Sequence, residues 1–132
     1  MKRRMNGKRV AVATGIGLLT GCYCAASLYI PALKPAGLTS GPEAWWLAML
    51  VAGRTTQGFV IGLADGIDLH PVLRGAGIGA VMTLQLAMMP LFGPFKLGAV
   101  LLMAAGIIYG IIEDVAATWV ARRFPSSRQG AA

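Results

Sequence analysis

The sequence predicts an all-α polytopic membrane protein, built as a four-transmembrane-helix bundle in a single domain that covers residues 1–132. Hydrophobic residues make up 56% of the chain, and its mean hydropathy is +0.66. Only 13% of the residues are charged, and most of these charges flank long apolar stretches rather than interrupting them. A soluble domain of this size does not need so many apolar residues to build one core, so the expected solvent is lipid.

Four apolar segments are each long enough to cross a hydrocarbon core about 30 Å thick, which takes roughly 20 helical residues. They cover residues 10–30, 44–64, 72–92 and 97–120. Proline, glycine and aspartate fill the breaks between them, as expected for turns. Strands exposed to lipid would leave backbone groups unpaired, so the segments are predicted to be helices, with short basic tails at both ends.

Basic residues are concentrated on one side of the predicted membrane. With both termini inside, nine of them lie on the cytoplasmic side, namely Lys2, Arg3, Arg4, Lys8, Arg9, Arg74, Arg122, Arg123 and Arg128. Only Lys34 and Lys96 lie on the opposite side. This asymmetry predicts a multi-pass protein of a bacterial-type inner (plasma) membrane with both termini cytoplasmic. Because the charge flanks apolar segments, the expected partner is the lipid bilayer and not nucleic acid.

The first segment also contains a rival motif. Leu19, Thr20, Gly21 and Cys22 resemble the lipobox of a bacterial lipoprotein signal, which would be cut before Cys22 and lipidated there. The apolar run continues to Ile30, however, whereas a signal normally gives way to polar residues after the cleavage site. We therefore expect the first helix to be retained.

Every predicted helix contains a pair of glycines four residues apart, which allows helix backbones to approach closely. The pairs are Gly17 and Gly21, Gly58 and Gly62, Gly75 and Gly79, and Gly106 and Gly110. The second and fourth segments share the pattern G-x-x-x-G-x-x-acid, ending at Asp65 and Glu113. The shared pattern suggests two tandem helix hairpins, 1–66 and 67–132, related as parallel repeats. The alternative is that such glycine pairs are simply common in membrane helices.

Arg54 lies almost halfway along the second segment, where an unpartnered guanidinium would cost about 2.5–3.5 kcal/mol. Candidates for an intramembrane polar set or pathway are Arg54, Gln57, Gln85, Tyr109, Glu113 and Asp114. We expect an ion pair between Arg54 and Glu113, with Gln85 completing the network. The alternative is a pair that only fixes how the helices pack.

The motifs of common enzymes are missing from the sequence, which has no nucleophile–base pair, phosphate-binding loop or zinc-ligand spacing. Asp65, Asp68 and His70 form a weak metal pattern that we interpret as solvated loop residues, with the loop carboxylates paired locally to Arg74. We therefore expect neither catalysis nor a metal or cofactor. Two functions remain: an oligomeric ion or small-solute translocator, or a non-transporting accessory or scaffold subunit of a larger membrane complex.

Overall fold

The computed structural model describes residues 6–30, 44–93 and 96–124, and within these ranges the chain forms four helices and no strand. The helices are α1 (Gly7–Ser27), α2 (Ala44–Leu63), α3 (Pro71–Phe92) and α4 (Lys96–Arg123). A short 3₁₀ turn, Ala64–Gly66, extends α2. The all-α prediction is confirmed. The predicted first loop and the outermost parts of both basic tails lie outside the described residues.

The helix ends differ from the predicted ones mainly in α1. This helix begins at Gly7, three residues before the predicted start, because Asn6 caps it: the Asn6 side chain accepts a hydrogen bond from the backbone N–H of Lys8 at 3.2 Å. The earlier start places Arg9 inside the helix instead of in the predicted basic tail. As a result, the Arg9 side chain lies in the interior of the bundle, where it is fully buried.

The bundle is polar inside and apolar outside. Six of the seven largest fully buried side chains in the part of the chain that the structure describes are polar, namely Arg9, Arg54, Gln57, Thr83, Glu113 and Asp114. Large apolar side chains face outward, among them Val81 at 70% and Phe92 at 80% exposure. This arrangement inverts the pattern of a soluble protein and suits a hydrocarbon solvent. All four helices are long and apolar enough to cross a membrane, so the chain is a small multi-pass membrane protein.

Each helix packs against its neighbours in the sequence, and α4 closes the ring by packing against α1, while α2 and α4 also touch across it. The closest packing lies within the pairs α1–α2 and α3–α4. We call the end at which α1 begins and α4 ends the basal end of the bundle, and the other the apical end. By the charge asymmetry of the sequence, the basal end is the one predicted to face the cytoplasm.

Glycines bring the helices of each pair into backbone contact. In the first pair, the Cα of Gly58 lies against Gly17, and a Cβ at Gly58 would overlap the carbonyl group of Ala13. In the second pair, a Cβ at Gly110 would overlap the carbonyl oxygen of Gly75 and lie 3.0 Å from the Cα of Gly79. Van der Waals contact of this kind takes the place of the hydrophobic drive that lipid does not provide.

The two helix pairs make equivalent glycine contacts. The residues that correspond in the structure are shifted by one helical turn from those that correspond in the sequence motif. Gly58 occupies the place in its pair that Gly110 occupies in the other, whereas the shared motif aligns Gly58 with Gly106. In the structural register the acids of the two motifs no longer correspond. The glycine contacts are therefore common to both halves, and the relation of the two halves as parallel tandem repeats stays a prediction.

Candidate functional site

Within the described residues, the buried polar side chains and the partly exposed ones that they contact form two clusters. The central cluster lies halfway along the helices and consists of Thr20, Arg54, Gln57, Thr83, Tyr109 and Glu113. The basal cluster lies near the basal end and consists of Arg9, Asp65, Arg74, Asp114 and Thr118. The two clusters meet on α4, where Glu113 and Asp114 are consecutive residues.

Arg54 is the charged centre of the central cluster and is 0% exposed. Its Nη1 donates hydrogen bonds of 2.9 Å to the Gln57 side-chain oxygen and 2.9 Å to the Thr83 hydroxyl. The guanidinium carbon lies 5.3 Å from the centre of the Tyr109 ring, a cation–π distance. Within the described residues, the Nε and Nη2 atoms of Arg54 have no hydrogen-bond partner.

Gln57 stands between Arg54 and Glu113. Its amide oxygen accepts from Arg54, and its Nε2 donates 3.3 Å to Glu113 Oε2 and 3.3 Å to the carbonyl of Gly106. The other oxygen of the fully buried Glu113 accepts from the Thr20 hydroxyl at 3.2 Å.

The predicted direct ion pair between Arg54 and Glu113 is wrong, since the ion pairs among the described residues do not include it. The physical reason is local. Gln57 lies three residues after Arg54 on the same helix face and reaches the guanidinium first.

Gln85 does not join the network, which corrects the prediction that it would complete it. The residue is exposed on the outer surface of α3. The residue of α3 that joins the network is Thr83 instead. Gln85 lies two residues further along, and side chains two residues apart on a helix point about 200° apart, so Gln85 faces outward when Thr83 faces inward. Gly75, Gly79 and Thr83 recur every four residues, so the spacing of small residues identifies the inner face of α3 better than polarity does.

Asp114 is the centre of the basal cluster and is 0% exposed. Arg74 binds it through two hydrogen bonds, from Nε at 2.7 Å and from Nη2 at 2.8 Å, in the fork geometry that favours a carboxylate. Arg9 Nη2 donates to the same carboxylate from α1, and Thr118 adds a 3.3 Å hydrogen bond from its hydroxyl. One aspartate therefore ties α1, α3 and α4 together.

The two arginines of the basal cluster have roles that the sequence analysis missed. Arg74 was expected in a solvated loop beside Asp65, but it is buried in α3, where its Nη1 also donates to the carbonyls of Ala64 and Ile67. Asp65 accepts a 2.9 Å hydrogen bond from Arg9 Nη1. Arg74 thus satisfies backbone groups at the end of α2, a need that the sequence pattern does not reveal.

Arg9 was counted as a basic flank, although its spacing placed it in the bundle. It lies four residues before Ala13, which lies four before Gly17, and these residues with Gly21 are the buried face of α1. With Arg9 and Arg74 inside the bundle, the nine basic flanking residues become seven, against two on the other side. The asymmetry that predicts the orientation is smaller but keeps its sign.

The loop between α2 and α3 has local structural contacts. The His70 ring accepts a hydrogen bond from the backbone N–H of Val72 at 3.4 Å, at the start of α3. Across the described ranges, the acidic, histidine and cysteine side chains do not gather into a group of three that would hold a metal ion.

Apolar side chains fill the core on the apical side of the central cluster. Leu50 lies one turn from Arg54 and Leu86 nearly one turn from Thr83, and both are buried, as are Ala87 and Ala99. The polar interior therefore occupies the basal half of the bundle and the middle, while the apical half is closed by apolar packing.

No known protein family, curated protein or solved structure matches this chain. The functional argument therefore rests on the site itself.

Proposed function

We propose that this protein is a non-enzymatic translocator of an ion or small solute that works as an oligomer in the membrane. The observation that carries the proposal is the central cluster. All four helices contribute a polar side chain to it: Thr20 from α1, Arg54 and Gln57 from α2, Thr83 from α3 and Glu113 from α4.

The cluster is more than helix packing requires. The contacts at Gly58 and Gly110 already hold α1 to α2 and α3 to α4, and both are made with backbone atoms of the neighbouring helix. Ionisable groups inside a membrane are costly, and when they face the interior of a bundle they commonly mark solute or proton pathways. A fully buried Arg54 and Glu113 halfway along the helices fit that role.

The apolar apical half explains why we propose an oligomer. Leu50 and Leu86 close the interior of one chain beyond the central cluster, and four short helices enclose little volume. A complete pathway therefore requires a second subunit or a rearrangement of the two helix pairs about the site, as in transporters built from repeated halves.

Two glutamines allow a matched test of this function. Gln57→Leu removes the bridge between Arg54 and Glu113, whereas Gln85→Leu makes the same chemical change on the outer surface of α3. In proteoliposomes loaded with a panel of monovalent ions and small neutral solutes, we expect wild type and Gln85→Leu to mediate equal flux of one of them. The Gln57→Leu variant should lose at least about tenfold of that flux, since a 1.4 kcal/mol change corresponds to a factor of ten.

Flux that is equal in Gln57→Leu and Gln85→Leu would contradict a role for the central cluster in translocation. Folding of each variant is checked first by its elution volume and helical circular dichroism in detergent.

The alternative is an accessory or scaffold subunit of a larger membrane complex. The observation that favours it is the basal cluster, in which two arginines and two aspartates bind one another and the end of α2. Buried pairs of this kind specify one packing arrangement without any transport. Absence of flux for the whole panel, together with stoichiometric copurification of a larger membrane complex from mild detergent, would support this alternative.

The proposed orientation has both termini in the cytoplasm of a bacterial-type inner membrane, because seven basic residues flank the basal side and two the apical side. We expect a single cysteine at Ser40, in a background without Cys22 and Cys24, to react with an impermeant thiol reagent on intact cells. A cysteine at Ser126 should react only after lysis. If the cysteine at position 126 were labelled on intact cells and the one at position 40 were not, the orientation would be the opposite one.

A further inference from the structure

The edge of the Arg54 guanidinium formed by Nε and Nη2 has no partner among the described residues, although the side chain is fully buried. We infer that this edge is a binding site for a small planar monovalent anion, such as a carboxylate with few carbon atoms or nitrate. The inference rests on the proposed translocation and names the class of solute.

The hydrogen-bond inventory of Arg54 leaves adjacent donors unpaired that suit one ligand with two acceptor oxygens. A guanidinium has five N–H donors in a fixed fork. Nη1 directs its two donors to Gln57 and Thr83. The three remaining donors lie on Nε and Nη2, whose adjacent N–H groups point the same way and match the two oxygens of a carboxylate. Leaving buried donors unpaired is costly, so a ligand that accepts from them gains that energy on binding.

The surroundings of Arg54 restrict the direction from which an anion can bind. The guanidinium carbon lies over the Tyr109 ring, 5.3 Å from its centre, so the ring occupies that side. Gln57 and Thr83 occupy the Nη1 end. The in-plane edge that remains favours a flat anion over a spherical one.

The charges of the interior favour a single negative charge on the ligand. In the basal cluster, Arg9 and Arg74 are balanced by Asp65 and Asp114. In the central cluster, Arg54 faces one acid, Glu113, with the Gln57 amide between them. With Glu113 ionised the charges of Arg54 and Glu113 cancel, so a monovalent anion on the free edge is balanced when Glu113 takes up a proton, whereas a divalent anion would leave a negative charge uncompensated in either state.

The test measures thermal unfolding of the purified full-length chain in nanodiscs at constant ionic strength, with acetate, formate, nitrate, chloride or sulfate as the sodium salt. A ligand that binds only the folded state raises the unfolding temperature by mass action. At a concentration about tenfold above the dissociation constant, we expect acetate, formate and nitrate to raise it by about 5 °C, and chloride and sulfate to have little effect.

Three variants separate anion binding at Arg54 from general salt effects. In Glu113→Gln the neighbouring negative charge is gone, so the acetate-induced shift should be at least as large as in wild type. The double variant Arg54→Met with Glu113→Gln contains no unpaired charge and should fold, yet show no shift. Arg54→Lys keeps the charge but not the fork, and its shift should fall to less than half. An equal acetate shift in the double variant, or no acetate shift in wild type, would overturn the inference.

A flux measurement distinguishes this inference from the proposed function. An acetate-induced shift without flux of acetate or any other solute of the panel would support the binding site and contradict translocation. Flux of a cation or neutral solute without any anion-induced shift would support translocation and overturn the anion site.

Discussion

Replacement of Asp114 by leucine is expected to abolish accumulation of the folded protein in the membrane. Two arginines, Arg9 and Arg74, donate hydrogen bonds to this one buried carboxylate. Removing one partner of a buried ion pair typically costs about 3–5 kcal/mol, because the other charge is left uncompensated. Here two charges lose a partner, and the loss approaches the whole stability of a small domain, about 5–15 kcal/mol. Folded yield after extraction and unfolding in increasing denaturing detergent measure the effect.

Two further variants identify the cause of that loss. Asp68→Leu removes a carboxylate that is exposed in the loop before α3, where the interactions of a charge are weak, so it should cost far less folded yield than Asp114→Leu. The double variant Arg74→Met with Asp114→Leu leaves Arg9 with Asp65, so it should recover part of the yield lost in Asp114→Leu. A double variant no better than Asp114→Leu alone would show that packing around Asp114, and not charge, controls stability.

The second large effect is expected when a glycine at a helix contact is replaced by alanine, which adds a single methyl group. Gly58→Ala places a Cβ on the Ala13 carbonyl group, and Gly110→Ala places one on the carbonyl oxygen of Gly75. Both obstacles are backbone atoms of a neighbouring helix, so relief requires the helices to separate. We expect a loss of about 3 kcal/mol for each, the upper part of the usual cost of overpacking. The midpoint of unfolding in detergent is the measurement.

Gly15 and Gly77 are matched controls for these changes. A Cβ at either position would have no heavy atom within 4 Å outside its immediate surroundings in the helix. Gly15→Ala and Gly77→Ala should therefore be neutral or slightly stabilising, since alanine is the better helix former. If Gly58→Ala behaved like these controls, the close approach of α1 and α2 would not contribute to stability.

The fold was predictable because apolar length and charge placement are direct consequences of a lipid solvent. The buried positions of Arg54, Gln57, Glu113 and Asp114 were predictable for the same reason: polar groups halfway along an apolar helix have to face inward. The glycine pairs also marked the close contacts within both helix pairs.

The partners of the buried charges were not predictable from sequence. Rise per residue gives the depth of a side chain but not its angle about the bundle, so depth alone suggested Arg54 with Glu113 and missed the Gln57 bridge. Arg9 and Arg74 were misassigned because basic residues near helix ends usually lie at the membrane surface. Polarity likewise favoured Gln85 over Thr83, although the recurrence of small residues every four positions identified the correct face of α3.

The pairing of Arg9 with Asp114 has a consequence for the order of synthesis, because these residues lie 105 positions apart in the chain. Before α4 is made, the interior side chains of α1 to α3 and the turn after α2 include three arginines, Arg9, Arg54 and Arg74, and one acid, Asp65. Both acids that restore neutrality, Glu113 and Asp114, arrive in α4. A nascent chain therefore carries an excess positive charge within the bilayer until its last helix inserts, and a chain that ends early cannot acquire the electrostatic balance of the finished bundle.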